Sequence, residues 1–186
     1  MKIYTKKGDA GYTTNFLGEK HLKCDELMEL QGSIDEVNAH IGVLRSKLYK
    51  LPQYQKLRGS DELLKSIQFN LYEIGVELSS NFTKLLVDEQ GIKTLENNID
   101  EMTNSMPPLK NFLYYAGTEE AVYCHVIRTV VRRAERNFVR FNEERKVEQY
   151  SISYKYINRL SDFFFTLARF INYVCDVKEE IMILDK

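Results

Sequence analysis

Four arginines fall within the stretch Tyr123 to Arg136, which reads YCHVIRTVVRRAER. On a helix, Arg128, Arg132 and Glu135 stand at i, i+4 and i+7 and share one face, with Arg133 and Arg136 beside them. Val122, Val126 and Val130 form a second stripe, predicted to be the core face. Guanidinium groups crowded on one face repel each other unless an anion sits opposite. Their planar forks bind phosphate or carboxylate through two parallel hydrogen bonds. A solvated face with local glutamate partners explains this stretch equally well when it is taken alone. Two more polar clusters, at the N-terminus and around Asn158, supply what a polyphosphate site on a helix would need.

The first cluster is TKKGDAGYTT, Thr5 to Thr14. Its glycines let backbone N–H groups turn toward an anion, while Lys6, Lys7, Thr13 and Thr14 add side-chain donors. Lys20 and Lys23 extend the basic character. Neither GxxxxGK[ST] nor GxGxxG occurs, so this is not a P-loop or a dinucleotide fingerprint. The plainer reading is a basic terminus without fixed structure. The second cluster lies in INRLSDFFFTLARF (Ile157 to Phe170), where Asn158, Asp162, Phe165 and Arg169 recur at i, i+4, i+7 and i+11. Asp162 is expected to pair with Arg159 or Arg169. Asn158 stands out because amides recognise bases and riboses. A further polar run, GSIDEVNAHIG (Gly32 to Gly42), carries Asp35 and Glu36, expected at the solvent face. Glycines in a helix interior cost about 1 kcal/mol each against alanine, so Gly32 and Gly42 predict close packing against a neighbouring helix or chain.

His21, His40 and His125 share no metal-ligand spacing and read as ordinary surface or packed histidines. Cys24, Cys124 and Cys175 are widely spaced, with no CxxC pair, and are expected to be buried thiols in a reducing compartment. No Ser–His–Asp or Cys–His nucleophile arrangement is present. Met102 and Met106 read as core filling.

These residues need a rigid support. The chain has 186 residues, 44% hydrophobic and 28% charged, which predicts one domain with a proper core. A net charge of −1 argues against nucleic-acid binding, and the local arginines fit a small anion better than a duplex. The opening residues lack the apolar run of a leader, and no segment approaches the ~18 apolar residues of a membrane span. The expected location is the cytoplasm, or an organelle matrix if a leader was removed.

From Asp25, Leu27, Leu30, Ile34, Val37, Ile41, Leu44 and Leu48 alternate spacings of three and four, predicting a long amphipathic helix that Pro52 and the polar segment to Ser60 end. Ser60-Asp61-Glu62 reads as the start of a second helix through Leu63, Ile67, Leu71, Ile74 and Leu78. A third is predicted over 89–104, stopped by Pro107-Pro108. The connector LKNFLYYAG (109–117) is too aromatic to be merely a linker. Thr118 caps the arginine helix, predicted to run to about Asn142. After the polar interval EERKVEQ (143–149), the last helix spans 151–174. No alternating strand-like run appears, and the N-terminal stretch reads as a loop. Four or five helices on short connections predict an all-α antiparallel bundle.

Taken together, TKKGDAGYTT, GSIDEVNAHIG, CHVIRTVVRRAER and YINRLSDFFFTLAR resemble the ATP:cob(I)alamin adenosyltransferases of the propanediol-utilisation type, in the family's order and over nearly the whole chain. The resemblance implies a ferritin-like five-helix bundle assembled as a homotrimer with active sites between subunits. It implies one domain over 1–186, with an ATP-binding loop at 1–23 and the bundle at 24–176. The reaction moves the 5′-deoxyadenosyl group of ATP to the cobalt of cob(I)alamin and releases triphosphate. Carried over by motif, Thr5, Lys6, Lys7 and Gly8 would line the triphosphate, with Thr13 and Thr14 beyond and Lys23 as an ATP-binding lysine. Arg132, Arg133, Ala134, Glu135, Arg136 and Asn158 would complete the nucleotide site. Asp35 would pair with Arg128 across the subunit interface, and both, with Arg132, would serve catalysis. Phe112 would face the corrin, with Phe165 as a second part of that wall. Mg²⁺ would be held by the ATP phosphates and not by protein side chains. A cobalamin reductase or an adenosylcobalamin-dependent enzyme would be a fitting partner. Three positions depart from the family: its FxxPGG reads Phe112-Leu113-Tyr114-Tyr115-Ala116-Gly117 here, without the proline, its aromatic before GxxDE is Gln31, and its GG near the loop's end is Gly18-Glu19. An ATP-binding delivery or regulatory bundle without transfer activity is the alternative.

Overall fold

The computed structural model describes residues 2–146 and 151–183. The apolar stripe beginning at Leu27 becomes α1 (Glu26–Leu48), whose N-cap Asp25 accepts the Met28 N–H at 2.9 Å. The second helix, α2 (Tyr54–Ser79), starts well before the expected Ser60. Leu57 is wholly buried and extends the stripe toward the N-terminus, so the polar segment after Pro52 is helical. Asp61 is no cap: it accepts from Arg45 Nε of α1 at 2.7 Å and from the Tyr54 hydroxyl at 3.1 Å. The remaining helices, α3 (Glu89–Ser105), α4 (Glu119–Glu144) and α5 (Ile152–Val174), follow the sequence closely. Their N-caps Asp88, Thr118 and Ser151 each accept a backbone N–H from the first turn. Of the 143–149 interval, residues 147–149 lie outside the described residues.

The all-α bundle expected from the sequence is thus present. α4 packs between α1 and α5, α2 lies against α1, and α3 against α5. Being covered on two sides, α4 buries Ala121, Cys124, Ile127, Val131, Ala134 and Phe138. The predicted Val122–Val126–Val130 stripe is displaced from this arc, and Val126 is 40% exposed. A strict i+4 spacing drifts by about 40° per step, whereas alternating threes and fours follow the buried side. Met102 and Met106 fill the core as expected. Cys124 is buried too, and burial pushes its thiol well above the ordinary range, but Cys24 is exposed, contrary to expectation. Gly32 and Gly42 do not mark close helix packing within the chain: a Cβ at Gly32 would meet open space, and one at Gly42 would make ordinary contact with Gln68 at 3.6 Å.

The N-terminal stretch is more ordered than a loop. It forms a hairpin of β1 (Tyr12–Thr14) and β2 (Lys20–Leu22), paired Tyr12 to Leu22, Thr13 to His21 and Thr14 to Lys20. Asn15 Oδ1 holds its turn by accepting the N–H groups of Leu17 and Glu19 at 3.0 and 2.9 Å. Strands this short leave too few residues for alternation to be read. Among the described residues, no helix is long and apolar enough to cross a membrane.

Candidate active site

The hairpin gathers the N-terminal candidates around one open cavity of about 300 Å³, which Thr5, Lys7, Gly8, Thr13 and Thr14 line with Tyr12 and Lys20. Lys23 closes over Gly8, where a Cβ would come within 2.8 Å of the ammonium nitrogen. A side chain at this position would displace the flexible end of Lys23. Lys6 adopts a left-handed φ of 60°, unusual for a non-glycine residue, and its carbonyl accepts the Asp9 N–H at 3.3 Å. The hairpin is docked on the end of α2. Phe16 N–H donates to Ser79 Oγ at 2.8 Å, Lys84 sits 4.2 Å over the Phe16 ring, and Asn81 donates to Glu19 at 2.9 Å. Asn81 also accepts from Arg145 at 3.1 Å, just past α4. The hairpin therefore occupies the bundle end at which α4 finishes.

The arginines of α4 do not act alike. Arg133 is ion-paired with Glu36 of α1, and Arg136 donates to the Arg132 carbonyl at 3.0 Å. The Arg132 guanidinium is exposed and has no ion-pair partner among the described residues. Ala134 is buried, which lets α4 press against the core between these charges. Asn158 is exposed on α5, and two ring contacts fix its level: Phe138 with Tyr154 at 5.7 Å and His125 with Phe165 at 6.0 Å. Along antiparallel helices with these pairings, Asn158 lies level with Arg132 to Ala134. Its neighbour Asp162 pairs with Arg159 at 2.8 Å, as one of the two expected bridges.

The other end of α4 carries the aromatic connector. Arg128 donates to the Tyr115 hydroxyl at 2.7 Å and lies 5.1 Å from that ring's centre. Tyr115 stacks on His125 at 4.3 Å, and His125 in turn meets Phe165. Phe165 and the Phe112 connector thus belong to one aromatic assembly, with Phe112 itself 71% exposed. Asp35 is not brought to Arg128 within the chain. It is exposed on α1, beside a groove of about 310 Å³ shared with Gln31, Asn38 and Tyr72. Among the described residues, Arg128 Nε and His125 Nδ1 are buried without hydrogen-bond partners.

The sequence did not single out Asn172, which accepts the Thr118 N–H and donates to the Ala116 carbonyl, both at 3.0 Å. It fits only because residue 117 is glycine: φ there is +117°, and a Cβ would lie 2.2 Å from Asn172 Oδ1. An asparagine inside an aromatic helix was the available signal.

His125 is held neutral. Burial, and secondarily Arg128, lower its pKa from 6.5 to about 4. The unfolded chain binds a proton near pH 6.5 and the folded one does not, so stability contributed by the neutral ring is present above that pH. It is lost as pH falls from 6.5 toward 4. His125→Gln is expected to remove about 2–3 kcal/mol of that pH dependence, measured by urea midpoints across the window.

A model of the family described as cobalamin adenosyltransferase matches residues 3–171. The chain is 36% identical over 174 residues to a corrinoid adenosyltransferase of Bacillus subtilis, covering 92% of this chain and 87% of that one. It is 34% identical over 177 residues to the corrinoid adenosyltransferase MMAB of Bos taurus, covering 91% and 70%. Against the PduO enzyme of Citrobacter freundii, 35% identical, the match covers 91% of this chain and about half, 49%, of the relative. In three dimensions it superposes with a TM-score of 0.86 and 33% identity on a variant PduO-type ATP:corrinoid adenosyltransferase from Lactobacillus reuteri complexed with cobalamin and ATP, over 97% of this chain and 96% of that one. Sequence motifs, fold and comparisons agree: the chain belongs to the cobalamin adenosyltransferase family.

Proposed function

We propose that this chain transfers the 5′-deoxyadenosyl group of ATP to the cobalt of cob(I)alamin. The cobalt electron pair forms the Co–C5′ bond, the C5′–O bond breaks, and triphosphate leaves with that bond's electrons. Cobalt(I) is the nucleophile, so the protein needs neither an activated serine nor a thiolate. Its tasks are to hold carbon 5′ in line and to stabilise the charge gathering on triphosphate. The observation that carries this reading is the exposed Arg132, midway along α4 and without an ion-pair partner among the described residues, with Asn158 at its level and the Lys–Gly hairpin at the end where α4 finishes.

In this reading Thr5, Lys6, Lys7, Gly8, Thr13, Thr14 and Lys23 surround the triphosphate. Arg132 and Arg136 face it from α4. Arg133, held by Glu36, orders that helix face, and Asn158 takes the nucleoside. A Mg²⁺ ion would take ATP phosphate oxygens and water as ligands and supply charge neutralisation. Phe112 forms the corrin-side wall, with Phe165 as a second part of it. The homotrimer brings Asp35 of one subunit to Arg128 of the next, which suits an exposed carboxylate and a guanidinium whose Nε lacks a partner. A reducing cytoplasm or organelle matrix suits the unpaired thiols, and a cobalamin reductase or an adenosylcobalamin-dependent enzyme is the fitting partner.

Identification of the phosphorus product by ³¹P NMR tests the reaction: triphosphate is expected in a one-to-one ratio with adenosylcobalamin. Diphosphate or inorganic phosphate alone would overturn it. The connector without its proline favours a second reading, a cobalamin-delivery or regulatory bundle, which predicts ATP binding with no triphosphate formed.

A further inference from the structure

Beyond α5 the chain turns back along the aromatic connector. Leu113 and Ile181 form an antiparallel bridge; Tyr114 N–H donates to the Glu180 carbonyl at 2.9 Å, and Met182 N–H to the Phe112 carbonyl at 2.8 Å. The two backbone bonds flank Leu113, and one of them is made by the Phe112 carbonyl itself, so the tail helps to set where Phe112 stands. Neither the tail nor the connector has a helix of its own to fix the pairing.

What fixes it is Arg169. This arginine is 6% exposed on α5 and makes three hydrogen bonds. Nε donates to Glu179 Oε1 at 2.5 Å, Nη2 to Glu179 Oε2 at 3.1 Å, and Nη2 also to the Pro107 carbonyl at 3.0 Å. A single guanidinium thereby grips Pro107, two residues before the connector, and Glu179, the residue before the paired tail. One turn further along the same helix, Asn172 grips the connector's other end. A planar fork can hold a carboxylate and a carbonyl together, whereas an ammonium would hold them less well.

We infer that Arg169 is a positioning residue for the corrinoid half of the reaction: its ion pair with Glu179 latches the C-terminal tail onto the connector and so sets the placement of Phe112. This rests on Phe112 facing the corrin. Loss of the latch frees the tail and lets Phe112 move, while the hairpin and Arg132, on other elements, keep their geometry. The defect is thus confined to the corrinoid and spares ATP, a separation that general destabilisation would not produce.

The test uses the full chain with Arg169→Met, Glu179→Ala, Arg169→Lys and, as a control, Phe112→Ala. Glu179 is partly exposed in the tail, so its replacement does not empty the core and remains informative if Arg169→Met fails to fold. Hydrogen exchange is followed by mass spectrometry in peptides spanning 112–116 and 178–183, alongside KM for cob(I)alamin and for ATP. Arg169→Met and Glu179→Ala are expected to lose protection in both peptides and to raise the cob(I)alamin KM about tenfold, with the ATP KM unchanged. Arg169→Lys should fall between them and the wild type. Retained protection, or an unchanged cob(I)alamin KM, overturns the latch. The control tells where a failure lies: if Phe112→Ala also leaves the cob(I)alamin KM unchanged, the corrin-side reading of Phe112 has failed, and if it raises it, the latch alone has.

Discussion

Replacing Arg132 by alanine is expected to lower kcat/KM for adenosyl transfer by about a thousandfold, with the loss mainly in kcat. The side chain is exposed and holds no ion pair among the described residues, while the Arg136 contact uses its backbone carbonyl, which alanine keeps. Thermal stability should therefore stay close to that of the wild type. The contrast is Arg133→Ala. That change removes an exposed pair with Glu36, worth about 0–1 kcal/mol, and should affect stability slightly and transfer far less. Arg132→Lys keeps the charge and loses the fork, so an intermediate rate is expected. Steady-state kinetics beside thermal melts separate the cases. Equal losses in the two alanine variants would mean that α4 contributes only general positive charge.

The second large effect concerns stability. Glu77 of α2 is 1% exposed and accepts the N–H groups of Leu86 and Val87 at 2.6 and 2.8 Å, together with the Ser153 hydroxyl of α5. This carboxylate folds the segment after α2 back onto the bundle and ties it to the start of α5. Alanine there leaves buried donors unsatisfied, at about 1–3 kcal/mol each, and opens a void. Glu77→Ala is expected to cost about 3–5 kcal/mol, read as a lower urea midpoint with an unchanged slope. Because Ser79 and Asn81 anchor the hairpin immediately downstream, surviving protein should also bind ATP more weakly. A midpoint within experimental error of the wild type would show that water or neighbouring groups take over the acceptor role.

The helices were legible where burial imposes a period. α1 could be read from its leucine and isoleucine spacing, and the cap of α4 from Thr118. The start of α2 was not, because its first turns are polar and only Leu57 marks the core. The face of α4 was misread by one stripe, since two neighbours bury it and only their positions reveal the centre of the arc. The same dependence hid which arginine is spoken for: that Glu36 takes Arg133 and leaves Arg132 open follows from how α1 and α4 are aligned. The motifs did single out the N-terminal Lys–Gly stretch, though as a loop and not as a hairpin, the arginine helix and Asn158. They did not reveal Asn172, Glu77 or the Arg169 latch, whose roles come from contacts distant in sequence. The pairing of Asp35 with Arg128 joins different subunits in the proposed trimer, and within one chain Arg128 turns to Tyr115 instead.

The central claim is transfer to cobalt, and one anaerobic spectral measurement tests it most directly. Cobalamin reduced chemically to cob(I)alamin is mixed with ATP, Mg²⁺ and the protein, and the full visible spectrum is followed in time. The predicted result is loss of the cob(I)alamin band with matching growth of adenosylcobalamin, dependent on ATP. A cob(I)alamin spectrum that persists, in protein that demonstrably binds ATP, would contradict the transferase account and leave the delivery or regulatory bundle.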